Sequence, residues 1–195
     1  MTIWKAQHST RVNYNNILVA GIIKNENDSL RREIEKHFVI ELEDLGYRAT
    51  SALHEFGPKG LANLGEEETY IKLCNKGIDA VITIALIDKS KEVTSKSHKT
   101  IGYPGKYYYD RIWSYKNVQT EFPGEYPATG DYFWETILFD LAALEPQSTI
   151  QTRSFNAADA ERRSDELLRH VIQKMRKEKT LKKHENKITP QPKPF

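Results

Sequence analysis

Three carboxylate side chains follow the two most apolar segments of the chain. Glu26 and Asp28 come shortly after residues 17–23, and Asp88 comes directly after residues 80–87. If both segments are parallel strands, their carboxyl ends meet at one edge of a sheet, where open α/β sheets bind ligands at a change of chain direction. Three carboxylates there could hold a magnesium ion, with Asp88 placed as a phosphoacceptor. A divalent-metal or phosphoacceptor site is therefore one hypothesis.

Simpler structural roles compete with this acidic site. Asp28 has the residue type that caps a helix, and Asp88 would be a solvated residue at a strand end. Receiver domains, which use such a site, continue with two more helix and strand units. Residues 90–131 instead contain seven glycines and prolines, too many for another helix of ordinary length.

Other residue types that perform chemistry form no recognisable set. Residues 24–29 contain no glycine, so a glycine-rich phosphate cradle is not indicated there. Cys74, the only cysteine, is expected on the inner face of a helix as a small buried hydrophobe. The histidines show no zinc-ligand spacing and are expected at the surface or in hydrogen bonds; they are His8, His37, His54, His98, His170 and His184. No cofactor is indicated.

Residues 103–134 are dense in aromatic side chains, interleaved with lysine and arginine. Tyrosine and tryptophan give rigid contact area with a polar tip, which suits a surface for a protein, a peptide or a glycan. The alternative is that these aromatics cover one face of the sheet and each other. The residues predicted to form a ligand or partner surface are Tyr103, Tyr107, Tyr108, Tyr109, Trp113, Tyr115, Phe122 and Tyr126.

The pattern around these residues predicts the elements that position them. Residues 17–23 form an uninterrupted apolar run, typical of a strand covered on both faces. Apolar residues then recur at helical spacing from about 28 to 45, and Gly46 suits a left-handed C-cap. This helical stripe leaves charged residues, including Arg31 and Glu35, for solvent.

The strand and helix unit is then repeated. Residues 47–56 alternate enough to predict a second strand, and a second helix follows from Glu66, with Tyr70, Leu73 and Cys74 on its inner face. Residues 80–87 predict a third strand. The short connections imply right-handed crossovers and parallel pairing in the order 2-1-3.

The final third of the chain does not continue this winding. Residues 132–141 and 149–155 predict two strands of an antiparallel hairpin, joined by residues 142–148. Asn156 and Asp159 resemble a capping box ahead of a third amphipathic helix.

Together these patterns predict one α/β domain of two or three layers. Its mixed sheet of five or six strands has a parallel centre, with the order β-α-β-α-β followed by the hairpin and a C-terminal helix. Residues 1–13 would be a leader or an edge segment, and residues 14–179 the domain, with 90–131 as an aromatic-rich insertion. Residues 180–195 are expected to be a basic, proline-containing disordered tail.

Composition narrows the class of partner. The 195 residues suit one domain, and no apolar segment approaches the roughly 20 residues that cross a bilayer. Residues 174–195 hold eight Lys/Arg and two Asp/Glu, a net charge of +6, which leaves −4 for the rest. A basic surplus confined to the tail argues against nucleic acid. The basic tail has two possible roles. Its lysines could simply stabilise the negative C-terminus of the last helix, or they could attract the chain weakly to an anionic membrane.

The chain resembles a group of uncharacterised bacterial envelope lipoproteins. Their fold is similar to the amino-terminal domain of the Tol system's periplasmic protein B and to the curli secretion lipoprotein. The likeness spans about residues 16–179 and differs where a tryptophan is usual and Ile150 stands. The segments that carry it are the strand 17–23, Arg31-Arg32 with Glu35, Leu45-Gly46-Tyr47 leading to Ser51, Asp79-Ala80-Val81, and the hairpin from Phe139-Asp140-Leu141 to Arg153-Ser154-Phe155.

The resemblance implies a periplasmic location with a lipid anchor in the natural context, a binding or assembly role, and no catalytic residues. The leading hypothesis is therefore a non-enzymatic envelope module that binds a protein or small ligand through the aromatic residues. The alternative is the metal-binding or phosphoacceptor domain that uses Glu26, Asp28 and Asp88. In a third hypothesis, the aromatic face is the interface of a homo-oligomer.

Overall fold

A computed structural model of the chain describes residues 1–6, 13–22, 29–61, 64–88, 131–152, 155–156 and 164–183. Within these ranges the strands are β1 Thr2–Lys5, β2 Asn16–Ile22, β3 Arg48–Ser51, β4 Ala80–Asp88, β5 Asp131–Asp140, β6 Glu145–Gln151 and β7 Phe155–Asn156. The helices are α1 Ser29–Asp44, α2 Ala52–Phe56, α3 Glu66–Asn75 and α4 Ser164–Lys177. The predicted single mixed α/β domain is confirmed.

The sheet has the strand order β1-β6-β5-β4-β2-β3, and the two-residue β7 pairs with β5. Strand β2 is parallel to β3 on one side and to β4 on the other, with Ile17 opposite Ala80. This is the 2-1-3 order expected from two apolar runs joined by right-handed crossovers. The remaining pairs, β4–β5, β5–β6 and β1–β6, are antiparallel.

Two hydrophobic clusters lie on opposite faces of the sheet, because successive strand residues point to opposite sides. One cluster joins Ile17, Val19 and Ile82 to the apolar stripes of α1 and α4. The other joins Leu18 and Val81 to residues of α2 and α3. The domain therefore has three layers, with helices covering both faces of the parallel centre.

The second predicted strand is shorter than expected. Strand β3 ends at Ser51, and residues 52–56 form the short helix α2. The Ser51 hydroxyl accepts a hydrogen bond from the His54 amide, so this residue caps α2 and ends the extended backbone. The prediction of a strand through residue 56 was wrong because a cap at Ser51 overrides the alternating pattern.

The antiparallel hairpin has a tighter turn than the predicted seven-residue connection. Strand β5 ends at Asp140 and β6 begins at Glu145, so residues predicted for the loop lie in a strand. The Asp140 carboxylate accepts from the Ala142 and Ala143 amides at 2.8 and 3.1 Å, which closes the turn. A register irregularity at Leu138/Phe139 accommodates the start of β6.

Asn156 of the predicted capping box lies in β7, and Asp159 lies outside the described residues. Helix α4 is described from Ser164. Its end is a left-handed turn at Lys179, φ 59°, with the Thr180 amide donating to the Met175 carbonyl. Leu181 is buried in the core, so the fold continues past the expected boundary at residue 179.

The left-handed cap expected at Gly46 is present, with φ 87°, after α1, and Gly77, with φ 67°, follows the end of α3 in the same way. Among the described residues, none of the helices is both long and apolar enough to span a membrane. The aromatic segment 90–130 and the tail from residue 184 lie outside the described residues.

Candidate functional site

The end of the sheet where the parallel strands finish is the natural place for a site in an open α/β fold. Asp88 is the last residue of β4 and pairs with Tyr132 near the start of β5. Residues 89–130 therefore begin and end at this edge, beside the carboxyl end of β2. We call this edge the carboxyl end of the sheet.

The predicted acidic site is not assembled from described side chains. Glu26 and Asp28 lie outside the described residues, and for Asp88 only the backbone position in β4 is described. Within the described ranges, no group of three or more His, Cys, Asp or Glu side chains could hold a metal ion. The metal or phosphoacceptor hypothesis stays a prediction.

The predicted aromatic surface also lies outside the described residues. This holds for all eight residues of the prediction, Tyr103, Tyr107, Tyr108, Tyr109, Trp113, Tyr115, Phe122 and Tyr126. Phe133 and Trp134, which close the aromatic stretch in the sequence, are buried in β5. The aromatic-rich sequence therefore runs directly into the packed sheet through the rigid β4–β5 pair.

A buried carboxylate that was predicted to face solvent lies at the carboxyl end of the sheet. Glu35 of α1 is 0% exposed. Its Oε1 accepts from the Gly21 amide at 2.8 Å and from Arg31 Nε at 2.9 Å. Its Oε2 accepts from the Ser51 hydroxyl and from the Leu53 amide, the latter at 2.8 Å. The prediction that Glu35 faces water was wrong, because these four donors replace water.

Helical spacing and a glycine make this arrangement fit. Arg31 lies one turn before Glu35, so their side chains meet on one face of α1. A Cβ atom at position 21 would lie 3.0 Å from Arg31 Cγ and 3.4 Å from Glu35 Oε1. Gly21 therefore lets the end of β2 approach the ion pair closely, a role that a glycine inside an apolar strand can signal in a sequence.

The Glu35 network is a positioning device. Both carboxylate oxygens are occupied by two donors each, so little acceptor capacity remains for a metal ion or a substrate. The network instead joins the end of β2, the end of β3 and the first turn of α2 to helix α1. It holds fixed the strand ends from which the neighbouring loops depart.

A second buried carboxylate lies near the same end of the sheet. Glu135 of β5 is 2% exposed and accepts from Gln151 Nε2 at 2.7 Å. The neighbouring backbone is held by Thr152, whose hydroxyl accepts from the Trp134 amide at 2.8 Å. Sequence reasoning missed Glu135, although a lone charged residue inside the apolar run of β5 is a usable signal of a satisfied polar contact.

Cys74 is exposed, contrary to the prediction that it faces inward. Leu73 takes the buried position of α3, and the next residue is rotated by about 100° around the helix axis. The pKa of Tyr70 is raised above its ordinary value. The main cause is a hydrogen bond with Cys74, followed by electrostatic interaction with Cys74 and by burial.

The described histidines are separated from one another. His37 Nδ1 lies 2.5 Å from Asp165 Oδ1 and links α1 to α4 at the surface. His54 and His170 are exposed. The other three histidines, His8, His98 and His184, lie outside the described residues.

No protein-family model matches the chain, and no curated protein matches it. Among solved structures, the chain is similar to a dodecameric PelC variant from Paraburkholderia phytofirmans. The identity is 9%, the match covers 88% of this chain and 96% of that one, and the TM-score is 0.42. It is also similar to the lipoprotein GNA1162 from Neisseria meningitidis, with 14% identity, coverage of 83% and 97%, and a TM-score of 0.36.

One of these two proteins is a bacterial lipoprotein, the general kind of protein named by the sequence resemblance. Neither is the Tol protein or the curli secretion lipoprotein. TM-scores of 0.42 and 0.36 describe loose superpositions, so they establish neither a family nor a function for the chain.

Proposed function

We propose that the chain is a non-enzymatic domain of the bacterial cell envelope that binds a protein or a small ligand at the carboxyl end of the sheet. The contact residues are the predicted aromatic set, with Tyr107, Tyr109 and Trp113 near its centre. The domain works on the periplasmic side and is lipid-anchored in its natural context. That location is supported by the sequence resemblance over residues 16–179.

The observation that supports the proposal is the pairing of the two described residues that flank the aromatic segment. Asp88 and Tyr132 form the last pair of the nine-residue β4–β5 ladder. Binding residues are commonly found on loops that a rigid scaffold holds. Here the scaffold is the central antiparallel pair of the sheet, packed on both faces.

The chemistry of the described carboxylates agrees with a binding role. Glu35 is engaged by four donors, and Glu135 accepts from Gln151. Catalytic carboxylates face a cleft and have capacity left for a substrate or a proton. The groups described at this end of the sheet act to hold strands and helices together.

Site-specific photo-crosslinking in the source bacterium tests the proposal. A photoreactive amino acid replaces Tyr107 or Trp113 in separate variants of the full chain. Control variants carry it at Ile71 or Arg32, which are exposed on α3 and α1. We expect a distinct adduct at 107 and 113 that both control positions lack, in the envelope fraction of the cells.

Two results would overturn the proposal. In the first, positions 107 and 113 give no adduct although the variants are folded and photoreactive. In the second, the adducts are the same as those at Ile71 and Arg32, as random collision would produce. An adduct between two copies of the chain would show that the aromatic residues contact another copy of the same protein, which is the homo-oligomer hypothesis.

A further inference from the structure

The end of the domain opposite the carboxyl end of the sheet carries a basic surface. Helices α1 and α4 run in the same direction, since His37 meets Asp165 and Glu41 meets Arg169. Both helices therefore finish at the amino end of the parallel strands. The Lys182 amide donates to the Tyr47 hydroxyl at 2.8 Å, which fixes the chain after α4 beside the start of β3.

Residues 174–183 contain six basic side chains and one acidic side chain, a net charge of +5. Glu43 and Asp44 end α1 nearby, and Arg48 starts β3, so the net charge falls to +4 when they are included. Lys5 of β1 also reaches this region, and including it raises the net charge to +5. We call this set the basic end; its basic members are Lys5, Arg48, Lys174, Arg176, Lys177, Lys179, Lys182 and Lys183.

The positive side chains converge in space. Lys174 Nζ lies 2.8 Å from Glu178 Oε1, and Lys5 Nζ donates to the Glu178 carbonyl at 2.9 Å. The pKa of Glu178 is lowered, first by the hydrogen bond and charge of Lys174 and then by Lys177 and Lys5. Lys174 of α4 and Lys5 of β1 thus meet at Glu178, the first at its carboxylate and the second at its backbone carbonyl.

The helix dipole accounts for only part of this charge. The C-terminus of a helix carries roughly half an elementary negative charge, which one lysine already offsets. Lys177, Lys182 and Lys183 are exposed and form no ion pair with any residue that the structure describes. Their charge therefore remains available to an external anion.

We infer that the basic end binds the surface of a membrane rich in anionic lipids, and that this contact points the carboxyl end of the sheet away from the bilayer. A membrane is a diffuse field of negative charge, for which flexible lysine ammonium groups suffice. Nucleic acid is disfavoured, because strong nucleic-acid surfaces add arginine forks and exposed aromatic platforms. At the basic end, lysine outnumbers arginine and Tyr47 is buried.

Vesicle co-sedimentation of the full chain tests the inference. Vesicles of phosphatidylcholine alone are compared with vesicles in which part of the lipid is anionic phosphatidylglycerol. We expect binding to the anionic vesicles only. Most of this binding should be lost between about 50 mM and about 500 mM salt, because the Debye length shortens as salt is added. Each lysine near an anionic surface contributes about fivefold to binding, so K177Q/K182Q/K183Q should bind on the order of 100-fold more weakly.

A matched variant separates a local surface from overall charge. R32Q/K36Q/K59Q removes the same number of exposed cations from α1 and the turn after α2 and should bind like the unchanged chain. Equal losses in both variants, or binding to neutral vesicles, would overturn the inference. Tighter binding to a duplex oligonucleotide than to anionic vesicles would also overturn it, and crosslinking at Tyr107 is independent of all these results.

Discussion

The amide of Gly21 donates a hydrogen bond to Glu35 Oε1 at 2.8 Å and so ties the end of β2 to the middle of α1. This contact brings a charged side chain into the dry interior between a strand and a helix. Three further donors complete its shell, from Arg31, Ser51 and Leu53. This one carboxylate therefore joins the ends of β2 and β3 and the start of α2 to helix α1.

Replacement of Glu35 by alanine should therefore be strongly destabilising. The substitution leaves the buried donors of Gly21 and Leu53 unpaired and isolates the Arg31 charge, so we expect a loss of about 3–5 kcal/mol in the free energy of unfolding. Urea denaturation measures this loss. Glu43→Ala, at an exposed position of the same helix, is the control and should change stability by less than about 0.5 kcal/mol. A loss for Glu35→Ala as small as that of the control would contradict the network.

Sequence patterns predicted the centre of the fold because β2 and β4 are apolar on both faces, which leaves little choice of environment. The position of Glu35 could not be predicted in the same way. Helical periodicity places it beside the apolar stripe, and only the tertiary approach of Gly21 and Ser51 supplies the donors that permit burial. Cys74 shows the opposite error, since its neighbour Leu73 fills the buried position of α3.

The aromatic set is a prediction from residue type alone, and its residues lie outside the part of the chain that the structure describes. The structure adds that Asp88 and Tyr132, which flank the aromatic segment, pair with each other in the sheet. Side-chain hydrogen bonds at Ser51 and Asp140 make two predicted segments shorter in the structure, the second strand and the hairpin connection. Such side-chain hydrogen bonds to the backbone compete with strand pairing, and the alternation of apolar and polar residues in a sequence does not reveal them.

Tyr47 should make the domain less stable in alkaline solution. Burial is the main cause that raises the pKa of Tyr47 above its ordinary value of 10.0, although the Lys182 amide lowers it in part. As the pH rises, Tyr47 therefore loses its proton in the unfolded chain before it does so in the folded domain. The contribution of the protonated Tyr47 to the free energy of unfolding is full below about pH 10 and is lost as the pH rises through the higher folded-state pKa. Urea denaturation across this range should show a smaller alkaline loss for Tyr47→Phe than for the unchanged chain. Identical pH profiles would contradict this account.

The thiol of Cys74 should react in the native state. Because Cys74 is exposed on α3, a thiol reagent should label the folded protein at a rate within about tenfold of the rate in denaturant. Cys74→Ser should leave the free energy of unfolding within about 0.5 kcal/mol, as for other exposed positions. Labelling that requires global unfolding would show instead that the inward-facing prediction was correct.

Magnesium should not stabilise the domain if its function is binding through the aromatic residues. A metal site occupied at ten times its dissociation constant would add about 1.4 kcal/mol and raise the melting temperature by a few degrees. We expect no shift at millimolar magnesium for the unchanged chain or for Asp88→Ala. A clear shift that Asp88→Ala abolishes would favour the alternative site formed with Glu26 and Asp28.

The most direct test of the central claim is chemical mapping of tyrosine exposure in the unchanged protein. Nitration followed by mass spectrometry compares Tyr107, Tyr108 and Tyr109 with Tyr14 and Tyr47, which are 0% and 4% exposed and serve as internal controls. An aromatic surface that is open to a partner predicts nitration at least about tenfold faster at positions 107–109, since buried side chains react only after local opening. Rates at 107–109 as slow as that of Tyr14 would mean that these aromatics pack within the domain, and would contradict the proposed binding surface.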